Sequence, residues 1–130
     1  VRPQMQLAAQ VDANALADLG DEAARLLTLG DFTTLAARFG YALAYGRECA
    51  MAIHEDLGRC LLEARATRLT SPAAQARAAV SYFGPNTSGL LALVESIVYA
   101  DNGARILVEL IATGTESARF VTLEQLSVAA

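Results

Sequence analysis

The amino-acid sequence predicts an α+β fold in which N-terminal helices pack on a curved antiparallel sheet. Two patterns carry that prediction. Between Ala13 and Glu63 apolar residues recur at three- and four-residue intervals, the spacing of a single buried helical stripe. After Gly89 come three runs rich in Val, Ile, Leu and aromatic residues, the first two separated by Asn102-Gly103.

The first helix is expected from Ala13 to Leu29, with Leu16, Leu19, Ala23 and Leu26 on its apolar side and Gly30 as its stop. Asp31 then caps a short second helix carrying Phe32, Leu35, Ala36 and Phe39, which ends at Gly40. Tyr41 to Tyr45 reads as a short strand or as more helix, and the strand is the reading taken. From Arg47 to Glu63 the helical pattern returns, with Ala50, Ile53, Leu57, Cys60 and Leu61 on one side.

Residues 65 to 83 support two readings. Ser71-Pro72 is a good N-cap and N1 pair for an Ala-rich helix. The same stretch also divides into two strands, Arg65 to Thr70 and Ala76 to Phe83, joined by a turn at Ser71 to Gln75. Local propensity favours the helix. Beyond a loop from Gly84 to Gly89, strands are expected at Leu90 to Ala100, Arg105 to Thr113 and Ala118 to Val128, the second turn lying around Gly114.

The chain has 130 residues, the size of one domain, and a single domain with an ordered core over about 11–128 is expected. Its 54% hydrophobic and 18% charged residues leave more apolar surface than one core needs, which points to a homodimer interface or an apolar cavity. No apolar run approaches the roughly 18 residues of a membrane span, so no membrane partner is expected. The formal charge is −4 and the ten basic residues, all Arg, are scattered singly; no nucleic-acid partner is expected either. Cys49 and Cys60 lie about 16 Å apart along one helix, too far to pair, so reduced thiols are expected; no charged and apolar leader precedes a cleavage site, and a cytoplasmic location is expected. Two Cys and one His lack zinc spacing, and no Gly-rich turn opens a helix, so neither a metal nor a cofactor is expected.

The register adds a face assignment. Asn102-Gly103 suits a two-residue type I′ turn, which pairs Asp101 with Ala104 and so Tyr99 with Ile106, Ile97 with Val108 and Glu95 with Leu110. That face is the expected core, continued by Arg119, Val121 and Leu123. The other face then holds Ser96, Arg105, Glu109, Thr122 and Glu124, with Arg105 and Glu124 cross-strand.

Taken together, Leu29-Gly30-Asp31-Phe32, Leu35-Ala36-Ala37-Arg38-Phe39, Gly46-Arg47-Glu48, Ala52-Ile53 and the terminal strands resemble the nuclear transport factor 2-like superfamily, a cone of helices against a strongly curved sheet. The resemblance covers residues 11 to 128. It implies strands rather than helix at 65–83, a pocket between the third helix and the concave sheet, and dimerisation through the sheet's outer face. Such proteins include isomerases, dehydratases, cyclases and non-catalytic binding domains, so the fold leaves the function open. None of the superfamily's catalytic residues has a counterpart that the sequence identifies.

Four residues are candidates for the polar points of a mainly apolar ligand site between helix 47–63 and the sheet. His54 is the chain's one imidazole, placed on or beside the buried stripe. Glu95 is expected among apolar side chains, where burial raises a carboxyl toward acid–base use. Tyr45 and Tyr99 offer hydroxyl donors. Each has a plainer reading: a histidine hydrogen-bonded at the core edge, a carboxylate in water or paired with Arg119, aromatic core residues. The first function expected is binding of a small apolar ligand, with cofactor-independent isomerisation, dehydration or cyclisation as its chemistry. The alternative is a non-catalytic interaction domain that forms a homodimer through the sheet face bearing Val98, Leu107 and Phe120.

Overall fold

Asp12 opens the first helix, α1 (Ala13–Leu29), by accepting the Ala15 N–H, and Gly30 closes it in the left-handed region at φ 75°. Asp31 caps α2 (Phe32–Phe39) in the same way through the Thr34 N–H. A single 3-10 turn, Ala42–Ala44, replaces the strand expected at 41–45, and α3 (Cys49–Glu63) follows with Glu48 as its N-cap. A computed structural model describes residues 5–7, 12–71, 76–114 and 118–129 of the chain.

The helices pack on an antiparallel sheet, giving the expected α+β class. Its strands are β1 (Met5–Leu7), β2 (Leu69–Thr70), β3 (Ala79–Tyr82), β4 (Leu90–Ala100), β5 (Arg105–Gly114) and β6 (Arg119–Val128). The order across the sheet is β1, β6, β5, β4, with β2 and β3 both on the far edge of β4. Residues 65–83 therefore supply strands, yet these two do not pair with each other. Leu69 lies opposite Ala100, and Ala79 opposite Glu95, so the two pieces run along one edge of the same long strand. Of the predicted turn at 71–75, residues 72–75 fall outside the described residues.

The register differs by one residue from the expected one, and the turn explains why. Tyr99 lies opposite Arg105 and Val98 opposite Ile106. Gly103 has φ 83° while Asn102 is not left-handed; Ala100 donates to the Ala104 carbonyl and Gly103 to that of Ala100. Three residues, 101–103, thus make the loop, with a left-handed glycine last, where a type I′ turn has two. The Asn102 side chain is engaged elsewhere, donating to the Ala64 and Arg65 carbonyls at the end of α3.

One extra loop residue turns β4 over. Its core-facing residues are Ala92, Val94, Ser96, Val98 and Ala100, all buried, and Glu95, Ile97 and Tyr99 face away from the helices. The assignment holds for β5 and much of β6, where Ile106, Val108, Leu110, Val121 and Leu123 are in the core. A bulge in β6 sets Leu110 opposite Leu123 but Glu109 opposite Gln125, which leaves Glu124 as the extra residue and well away from Arg105.

Helix α1 lies close on β4 because residue 20 is glycine. A Cβ there would come within 2.6 Å of Ala78 Cβ, 2.7 Å of Val94 Cγ1 and 3.0 Å of Ser96 Oγ. Ser96 is buried beneath it, and its hydroxyl has no hydrogen-bond partner among the described residues. Alongside, Asp21 accepts from the Ala78 N–H and pairs with Arg77, tying the segment before β3 to α1.

Candidate functional site

Among the described residues the buried charge is Asp56, on α3. Ala52, Ile53, Leu57 and Cys60 form the buried stripe of that helix, and Asp56 falls on the same stripe at 5% exposure. Its spacing of three from Ile53 and four from Cys60 is the signal in the sequence that locates it. Tyr41 donates to its Oδ2 at 2.5 Å, Arg47 donates to both oxygens at 3.1 and 3.3 Å, and Arg59 donates to Oδ1. Arg47 also donates to the carbonyls of Leu43 and Ala44, so the guanidinium staples the 3-10 turn to α3.

These contacts set the protonation states. Burial pushes the Asp56 carboxyl up, but hydrogen bonds from Arg47 and Tyr41, with the charges of Arg47 and Arg59, outweigh it and hold the carboxyl below its ordinary range. Burial, then the bond to Asp56, pushes the Tyr41 phenol far above its ordinary range, and burial likewise raises the Cys60 thiol. A carboxylate has about four acceptor positions, and four donors occupy them here. Asp56 is thus an anchor, with no lone pair aimed at a substrate proton.

The four expected ligand residues are distributed over separate surfaces. His54 is exposed rather than on the buried stripe, its ring stacked on Phe32 of α2 at 4.8 Å between centroids. Tyr45, 82% exposed, follows the 3-10 turn in a left-handed conformation at φ 51°. Glu95 and Tyr99 lie on the outer face of the sheet, away from all three helices, because of the register shift; Glu95 lies opposite Glu109 and far from Arg119, which lies opposite Gly114.

Two open clefts flank the core. One, of about 670 Å3, lies between the second half of α3 and the end of β6, with Tyr41, Asp56, Arg59 and Cys60 on one wall and Leu126 and Val128 on the other. None of the four expected residues lines it. The other, of about 600 Å3, opens at the far end of the sheet between Leu16, Tyr82, Phe83, Leu90 and Arg119. Asn86 on its rim is consumed by its own loop, bonding the Gly84 and Leu90 carbonyls and the Ser88 and Leu90 N–H groups.

The widest feature is the outer face of the sheet. Leu93 and Ile111, Ile97 and Leu107, and Thr113 and Phe120 are cross-strand pairs there, each residue half-buried. Val98, expected on this face, is in the core at 2% exposure. One polar row crosses it, with Glu95 opposite Glu109 and Gln125 donating to Glu109 at 2.9 Å. Like charges directly opposite on neighbouring strands cost a few tenths of a kcal/mol.

Compared with known protein families, with curated proteins and with solved structures, the chain matches none.

Proposed function

We propose that this chain is a non-catalytic interaction domain that binds a second copy of itself through the outer face of its sheet. The observation that carries this is the row of Leu93, Ile97, Leu107, Ile111 and Phe120 on the side of the sheet away from all three helices. Three strands of ten or eleven residues at ~3.3 Å per residue and ~4.8 Å apart, with the short edge strands β1, β2 and β3 beside them, make a face of roughly 600 Å2. Stable complexes bury about 600–1,000 Å2 on each partner, so a second copy of the same face reaches the low end of that range. The surplus of apolar residues in the sequence is consistent with such a face. The resemblance to the nuclear transport factor 2-like superfamily supports the same reading, since it implies dimerisation through this surface.

The test is the molar mass in solution, by sedimentation equilibrium, of the native chain and of Leu107→Arg. A native dimer that the substitution converts to a folded monomer supports the proposal; a native chain that stays monomeric at high micromolar concentration refutes it.

A second reading, binding of a small apolar ligand, is favoured by the 600 Å3 cleft, because Tyr82 and Phe83 are exposed there beside Arg119. Titration of an aromatic carboxylate against the native chain and Arg119→Gln tests it, with equal affinities or no binding counting against it.

A further inference from the structure

We propose that the two copies meet across a two-fold axis that runs across the strands at the level of Ile97 and Leu107, placing Arg105 of each against the partner's Glu109. This rests on the self-association proposed above and specifies its geometry.

The order of residues along the outer face limits the choices. Successive outward rows, about 6.8 Å apart, read Tyr99 and Arg105, then Ile97 and Leu107, then Glu95 and Glu109, then Leu93 and Ile111. Sheets that pack face to face keep their strands roughly aligned, so a symmetric pair has its axis in the interface either along the strands or across them. An axis along the strands sets every row on its own copy, and an axis across the strands at the Glu95 row sets that row on its own copy. Both bring four carboxylates together in a desolvated layer, which is strongly unfavourable.

Moving the crosswise axis one row toward Leu93 and Ile111 buries the carboxylates against Thr113 and its neighbours, with no cation opposite. Moving it one row the other way exchanges the Glu95 row with the Tyr99 row. Each strand then lies over its own copy running in the opposite direction. Arg105, exposed at the start of β5, faces the partner's Glu109, and the Tyr99 hydroxyl faces the partner's Glu95. The contact occurs twice by symmetry, and Leu107 and Ile97 meet their own copies at the axis. In this frame the repulsion between Glu95 and Glu109 within one chain is offset by the partner's cation.

The test is a charge exchange read by sedimentation equilibrium on the full chain: native, Arg105→Glu, Glu109→Arg, and the double variant. Each single reversal is expected to raise the dimer dissociation constant tenfold or more, and the double variant to recover most of the native affinity. That recovery requires a folded chain, so it separates pairing from misfolding. If neither reversal changes a dimer that Leu107→Arg does dissociate, or if the double variant fails to recover, this pairing is wrong while the outer-face interface stands. A native chain that is monomeric overturns both.

Discussion

The Tyr41 hydroxyl donates to the carboxylate of Asp56, and through that bond the start of the 3-10 turn is held to the middle of α3. Replacing the carboxylate with an amide removes the negative charge and one of the two acceptor oxygens from between the phenol and the Arg47 guanidinium. Asp56→Asn is expected to cost about 3 kcal/mol, and Tyr41→Phe about 2 kcal/mol, measured by urea unfolding at pH 7. A loss below about 0.5 kcal/mol in Asp56→Asn would mean that the turn is held by its apolar contacts alone.

The same pair gives the stability a pH dependence at both ends. The Asp56 carboxyl titrates lower folded than unfolded, so its contribution is complete above the unfolded value of about 4 and drains away as pH falls through the folded one. The gap between native chain and Asp56→Asn should therefore narrow below about pH 4. The Tyr41 phenol titrates higher folded than unfolded; its contribution is complete below about pH 10 and is lost as pH rises beyond it. Tyr41→Phe should lose less stability than the native chain between pH 10 and 11.

Gly20 and Ser96 make a matched pair of predictions. Gly20→Ala brings a methyl within 3.0 Å of three core atoms and should cost about 1–3 kcal/mol despite the better helix propensity of alanine. Ser96→Ala removes a buried hydroxyl that has no partner among the described residues and should be neutral or stabilising by up to about 1 kcal/mol. Thermal melts of the two variants decide both; destabilisation of Ser96→Ala would reveal a partner for the hydroxyl.

The β4–β5 turn is joined to α3 through Asn102, and Thr67 donates to Asp101 at 3.0 Å. Asn102→Ala should cost about 1 kcal/mol, with faster amide exchange at residues 64–68 than in the native chain. Unchanged exchange there would show that β2 holds the end of α3 by itself.

The helices were legible in the sequence because their boundaries are chemical. Asp31, Gly30 and Gly40 announce caps whatever the rest of the chain does. The long strands were equally plain from their β-branched runs. Their facing was not, because it depends on whether the Asn102-Gly103 loop has two residues or three, and the Asn102 side chain is drawn to the carbonyls of Ala64 and Arg65, 38 and 37 residues away. That single difference moved Glu95 and Tyr99 from the expected core to the outer surface. Asp56 was hidden for the opposite reason: its position on the stripe was readable, but a charge is assigned to solvent until its partners are known, and Tyr41 and Arg47 come from another element. Strand β1 was missed because three residues carry too short a pattern.

The arrangement of β2 and β3 bears on how the chain avoids growing into fibrils. An 11-residue apolar strand such as β4 would, at a bare edge, be a template for strands from other molecules. Here that edge is occupied by pieces of two and four residues, neither of which offers a long run of backbone groups to a newcomer. At the opposite margin β1 shields the start of β6 with three residues. Deleting 69–82 should thus produce a chain that aggregates through the bared edge of β4, beyond whatever stability it loses with the core contacts of Leu69, Ala78 and Val80.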